Sequence, residues 1–293
     1  MGGDLLEMVS HLIDSNNVMA QQAVSSVNQE VEMRITRKRK VLFFLMFSAV
    51  WLFSQKVWAE ETHPFVVSSE VVVTRGNYGT SQDTTVTRFD EDVTYLGEIG
   101  KLGLTIPYVF RKGASVTAGE SSLVNRRTIP NKADGLGDIQ LHGDYYWLKE
   151  TESQPKVDLT GRIKFPTADE DKGLGTGKPD VGFGSSLSKK VGAFIPFADL
   201  EIALRNRPKN ATIKSTRLGY DIGTGYPFTD QLTGSLFLQG ATSSSTGVDA
   251  PLAVVCSGDY QLTEVTRING QVLAGLTDGS PDFGAGAGLT YQF

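Results

Sequence analysis

One cysteine, Cys256, occurs in 293 residues. It can close no internal disulfide, and a small apolar strand position accounts for it. Basic residues are outnumbered, 28 to 33, which gives a net charge of -5 and a pI near 5.3. There is therefore no basic excess to hold a nucleic acid. Beyond residue 59 no apolar run is long enough for a membrane helix. Helical spacing is also poor there. These absences exclude a disulfide scaffold, a nucleic-acid binder and a helical membrane protein.

Cofactor motifs are missing as well. KGLGTGKPD, residues 172–180, evokes a phosphate loop, but Pro179 stands where Ser or Thr must bind magnesium and Lys172 where the first Gly belongs. GAGAG, residues 284–288, is followed by no helix and is no dinucleotide fingerprint. Asp169, Glu170, Asp171 and Asp180 depart from the EF-hand spacing and read as a solvated loop. Asn210 is a glycosylation sequon by spelling alone. Neither a cofactor nor a metal is expected.

The N-terminal part differs from the rest. RITRKRK (34–40) precedes the uncharged run VLFFLMFSAVWLFS (41–54), and Val57 and Ala59 are small residues before Glu60. This is the pattern of a secretory signal at 33–59, cleaved between Ala59 and Glu60, with a membrane anchor that stays attached as the alternative. Met33 directly precedes the basic cluster, so residues 1–32 read as an extension or a mis-assigned start.

Residues 60–293 alternate with period two. Leu141, Tyr145 and Trp147 share a face opposite Gln140, His142, Asp144 and Tyr146. Val157, Leu159, Ile163 and Phe165 oppose Asp158, Thr160, Arg162 and Lys164. Leu218, Tyr220 and Ile222 oppose Gly219, Asp221 and Gly223, and Ile268 and Val272 oppose Arg267 and Gln271. The last strand sets Phe283, Ala285, Ala287, Leu289, Tyr291 and Phe293 against Gly284, Gly286, Gly288, Thr290 and Gln292. Weaker segments near 65–74, 83–90, 93–99, 101–110, 193–204 and 251–262 bring the total to about twelve or thirteen strands. Between them lie loops, of which 112–137 and 166–179 are the longest.

Strands of about 9–11 residues suit a tilted crossing of a bilayer, whereas soluble sandwiches use about five or six. Phe110, Trp147, Phe165, Phe194, Phe228 and Phe293 fall near strand ends, where interfacial belts want aromatics. The polar faces carry charges that a dry core would not accept. The expected fold is all-β, a closed antiparallel transmembrane β-barrel of about twelve strands. A soluble exported β-protein is the alternative.

Asp134-Gly135-Leu136-Gly137-Asp138-Ile139, Lys164-Phe165-Pro166-Thr167-Ala168-Asp169, Gly173-Leu174-Gly175-Thr176-Gly177 and Pro179-Asp180-Val181 resemble the outer-membrane family labelled meta-pathway of phenol degradation. Ala168 stands where that family usually has Gly. The motifs occupy about 134–190, and residues 60–130 match in general character. The resemblance implies a twelve-strand-like pore for small aromatic or hydrophobic compounds. The terminal Tyr291-Gln292-Phe293 resembles the signal read by the barrel-assembly machinery of Gram-negative bacteria.

The expectation is an outer-membrane channel passing small solutes without energy coupling, lined by Asp138, His142, Asp144, Tyr146, Asp158, Arg162, Lys164, Asp221, Arg267 and Gln271. Its mixed charges predict no strong ion selectivity. The 112–137 loop is a candidate plug. The expected partners are outer-membrane lipid, the assembly machinery and a small-molecule solute. Two other readings compete: a non-conducting structural or adhesive barrel, and a lipid-modifying enzyme. The enzyme reading has little to draw on, since His63 and His142 are the histidines beyond residue 59 and His142 lies on the polar face.

Overall fold

A computed structural model describes residues 64–79, 82–113, 130–206, 214–245 and 247–293. The expectations for 1–32, for the signal at 33–59 and for cleavage at Ala59 and Glu60 fall outside these residues. The described chain runs β1 (Phe65–Gly76), β2 (Thr84–Leu96), β3 (Gly100–Lys112), β4 (Lys132–Leu136), β5 (Gln140–Leu148), β6 (Lys156–Lys164) and β7 (Asp180–Ser188). It continues with β8 (Ile195–Arg205), β9 (Thr216–Pro227), β10 (Leu232–Ala241), β11 (Leu252–Gln261), β12 (Thr266–Gly275) and β13 (Phe283–Gln292).

Neighbours pair antiparallel, β13 pairs back onto β1, and β2 pairs onto β3, so the sheet closes on itself. β4 and β5 share one place beside β3, and the thirteen strands form a twelve-stave barrel. Pro107 of β3 explains the break between them. It has no N–H to give the ladder, so the facing chain must leave register there. Gly137 N–H donates to the Pro107 carbonyl at 2.8 Å, and a Cβ on Gly137 would lie 2.8 Å from the proline ring. The bulge at Gly137–Ile139 places Asp138 between the two strands.

The alternation becomes an inside and an outside. Leu102, Phe183, Ile222 and Leu236, on four different strands, are 55%, 60%, 53% and 57% exposed on the outer face. The buried apolar cluster among the described residues is small by contrast: Val86, Val109, Ala168 and Leu174. Closure of the backbone ladder, rather than a large apolar core, therefore defines this fold.

Short turns at 97–99, 189–194, 228–231 and 262–265 lie at one end, and longer connections such as 165–179 and 242–251 at the other. Both ends of the barrel chain meet at the short-turn end. Phe65 N–H donates to the Phe293 carbonyl at 3.0 Å, and Phe293 N–H returns the bond at 2.9 Å. The outer rings of Phe65, Tyr95, Tyr291 and Phe293 cluster there. Phe89, Tyr108 and Phe110 cluster towards the other end. Between these belts the carboxylate of Glu91 faces outward beside Val93, and Ser69 Oγ donates to it at 2.6 Å.

Three segment expectations are corrected. The segments 83–90 and 93–99 are one strand, β2, because Glu91 occupies an outward position where the apolar pattern lapses. The 112–137 loop contains β4, whose five residues, KADGL, are too few and too polar to announce a strand. Strand lengths run from 5 to 13 residues, wider than expected.

The glycine faces are occupied by their neighbours. A Cβ on Gly284 would lie 2.8 Å from the Leu273 side chain, and one on Gly182 would lie 3.1 Å from the Glu201 carboxylate. The bare positions on β7 and β13 make room for long side chains leaning over from β8 and β12.

Candidate functional site

The inner face is charged, and one of its deeply buried charges is Lys164 at the last position of β6. Its Nζ lies 2.6 Å from Asp180 Oδ2 at the start of β7 and 3.2 Å from Asp138 Oδ2 in the β4–β5 bulge. All three residues are less than 9% exposed. A lone ammonium could not stay charged there, and two flanking carboxylates make its burial tolerable. Asp138 Oδ1 also accepts the Ala168 N–H at 3.0 Å, which draws the 165–179 loop inward.

That loop enters the mouth of the barrel. Leu174 is 3% exposed and packs with Val86 of β2 and Val109 of β3. Arg111 of β3 donates to the Lys172 carbonyl at 3.0 Å. Gly173 and Gly177 turn with φ of 67° and 64°, a region that favours glycine. A Cβ on Gly175 would lie 2.9 Å from the Asp138 carboxylate. The glycines of GLGTG thus serve a tight path against the latch. Asp169 has a local role: its Oδ1 accepts the N–H groups of Asp171 and Lys172, closing the turn. The segment inside the mouth is 165–179. Residues 114–129 of the candidate plug lie outside the described residues.

Beneath the loop are two chambers of about 730 and 440 Å³. The larger is lined by His142, Asp144, Asp199, Glu201, Asp221 and Gln271 among others. The smaller is lined by Glu70, Asp90, Asp92, Asp138 and Lys164, with an apolar wall of Pro107, Val109 and Leu174. Three residues line both: Arg88 of β2, Arg162 of β6 and Arg217 of β9. The boundary between the chambers is built of guanidinium groups.

Acidic side chains orient two of them. Arg162 donates to Glu201 from Nη2 at 2.6 Å and from Nε at 3.2 Å, and Nη1 donates to Gln140 at 3.1 Å. Arg88 Nε donates to Asp90 Oδ2 at 2.7 Å. Among the described residues the Nη groups of Arg88 have no hydrogen-bond acceptor. Asp92 accepts from Thr94 at 2.6 Å and Thr105 at 2.8 Å, and it lies 2.7 Å from His142 Nε2.

The structure brings Asp138, His142, Asp144, Arg162, Lys164, Asp221 and Gln271 to the chamber walls. It does not bring Tyr146, Asp158 and Arg267 there. Lys156 sits over the Tyr146 ring at 5.5 Å and binds Asp158 at 2.6 Å, forming a local cluster at the short-turn end. Arg267 is exposed, one residue from the start of β12. Sequence reasoning missed Arg88, Asp90, Asp92 and Arg217, and also Glu70, Asp199 and Glu201. Arg88, Asp90 and Asp92 alternate on one face of β2, so an unbroken strand there would have exposed them, whereas Arg217 shares parity with Asp221 on β9 and stood at the first position of that alternating segment.

A closed twelve-stave barrel with an apolar outside and a charged, loop-capped inside is the architecture of an outer-membrane barrel. Residues 56–293 match the model of the family described as the MetA-pathway of phenol degradation, and the chain belongs to that family. The motifs DGLGD, KFPT and PDV meet at Lys164. The fold is similar to that of an outer membrane channel from Pseudomonas putida, with a TM-score of 0.61, 11% identity, and coverage of 80% of this chain and 97% of that one. The beta domain of the Bordetella autotransporter BrkA is a fainter likeness, with a TM-score of 0.48, 14% identity, and coverage of 78% and 100%, and it carries no argument. No curated protein matches the chain.

Proposed function

We propose that the chain is an outer-membrane channel through which small solutes pass down their gradients. The observation that carries this reading is the pair of charged chambers inside a closed barrel whose outer face is apolar. A purely structural barrel would have no need of adjoining charged chambers. Residues 33–59 would direct export, with cleavage between Ala59 and Glu60. Tyr291 and Phe293 would present the C-terminal strand to the assembly machinery, and lipid would surround the apolar face. The lining suits solutes that carry a polar or charged group, of a size set by chambers of about 730 and 440 Å³. A lipid-modifying role gains no support from His142, which faces inward and is engaged by Asp92.

The test is single-channel recording in planar bilayers with the full mature chain, refolded to its heat-modifiable form. Discrete conductance steps are expected. A correctly folded barrel that leaves the bilayer silent, and that admits no solute into liposomes, overturns the reading in favour of a structural barrel.

A further inference from the structure

Charge in the lumen is sorted by place. The acids line one chamber or the other, yet every residue common to both is an arginine. A solute moving between chambers must pass Arg88, Arg162 and Arg217. Guanidinium groups hold carboxylates by paired hydrogen bonds, and their planar faces also stack on aromatic rings. Arg162 is tied on two edges by Glu201 and Gln140, and it gives the boundary a fixed cation. Arg88 is held by Nε alone, with its side chain 32% exposed, so its Nη pair is presented to the cavity.

The smaller chamber adds a second requirement. Beside the arginines stand Pro107, Val109 and Leu174, an apolar wall in an otherwise charged cavity. An apolar body would settle against that wall while its acidic group met the boundary. A chamber of about 440 Å³ has room for a molecule of about one ring.

We infer that the boundary between the chambers is a binding site for small monocarboxylates with an apolar body, with Arg88 as the principal contact. The inference rests on the channel reading for the route by which a solute arrives. Its test does not depend on conduction.

Isothermal titration of sodium benzoate into the folded, detergent-solubilised chain should show saturable binding. Acetate, which lacks the apolar body, should bind at least about tenfold more weakly. Arg88→Gln should weaken benzoate binding about tenfold or more, the scale of one charge-assisted hydrogen bond. Arg88→Lys should keep the charge but lose the fork, and fall between. Heat-modifiable mobility would confirm that each variant is folded. Arg217→Gln provides a second probe of the boundary should Arg88→Gln fail to fold. Absence of saturable benzoate binding, or equal affinity in the folded arginine variants, overturns the inference even if the bilayer conducts. Benzoate binding that follows the arginines supports it even if the bilayer is silent, in which case only the channel reading falls.

Discussion

Removing the ammonium of Lys164 should release the 165–179 loop from the mouth of the barrel. In Lys164→Met the side chain keeps nearly its length and its apolar stem, but Asp138 and Asp180 lose their shared cation while 8% and 4% exposed. Breaking a buried ion pair by removing one partner costs about 3–5 kcal/mol. The cost falls on the seated arrangement of the loop, because both acids can regain water when it lifts. At about 1.4 kcal/mol per factor of ten, the unseated population should rise by a factor of about 10² or more. Trypsin can report this after Lys172, since Leu174, two residues on, is 3% exposed and must leave its pocket before the chain fits a protease. When opening is fast relative to cleavage, the cutting rate follows the open population, so it should rise by about the same factor. The triple variant with Asp138→Asn and Asp180→Asn removes the stranded charges and should recover much of the protection. If Lys164→Met is cut within twofold of the wild-type rate, the ion cluster does not hold the loop and the reasoning fails.

Three further outcomes follow from the same geometry. Gly182→Leu would drive a side chain into the space of Glu201, 3.1 Å from even a Cβ, and should destabilise the barrel by about 1–3 kcal/mol in urea titration; an unchanged midpoint would show that the glycine face is not needed for packing. Glu91→Val should stabilise the bilayer-inserted barrel by on the order of 1 kcal/mol, because an outward carboxylate between the aromatic belts is costly in lipid; lower stability would argue that this face meets something other than lipid. Deleting Phe293 removes the N–H that bonds the Phe65 carbonyl and the ring stacked on Phe65, so heat-modifiable barrel in outer-membrane fractions should fall several-fold; normal assembly would count against the terminal signal.

Much of the inner face was readable because a strand repeats every two residues. On β6, the polar residues Thr160, Arg162 and Lys164 were separable from Leu159 and Ile163 by parity alone. The same rule failed on β2, where Glu91 interrupts the outward apolar series, and with it went Arg88, Asp90 and Asp92. Parity also cannot tell depth. Arg267 and Gln271 share a face of β12, but Gln271 reaches the larger chamber and donates to Glu70 at 2.8 Å, whereas Arg267 ends in solvent. The break at Gly137–Ile139 was hidden for another reason: its cause, Pro107, lies on the neighbouring strand.

The sequence by itself determined the all-β class, the inside and outside of most staves, and the presence of a loop rich in glycine between β6 and β7, since these are local properties of spacing and composition. Only the tertiary structure decided which charges meet. Asp138, Lys164 and Asp180 come from three separate segments, and Arg88, Arg162 and Arg217 from three staves spread around the ring. The physical reason is closure: the register of each ladder sets how far one strand is offset from the next, and those offsets add around the barrel until residues distant in sequence face each other across the lumen.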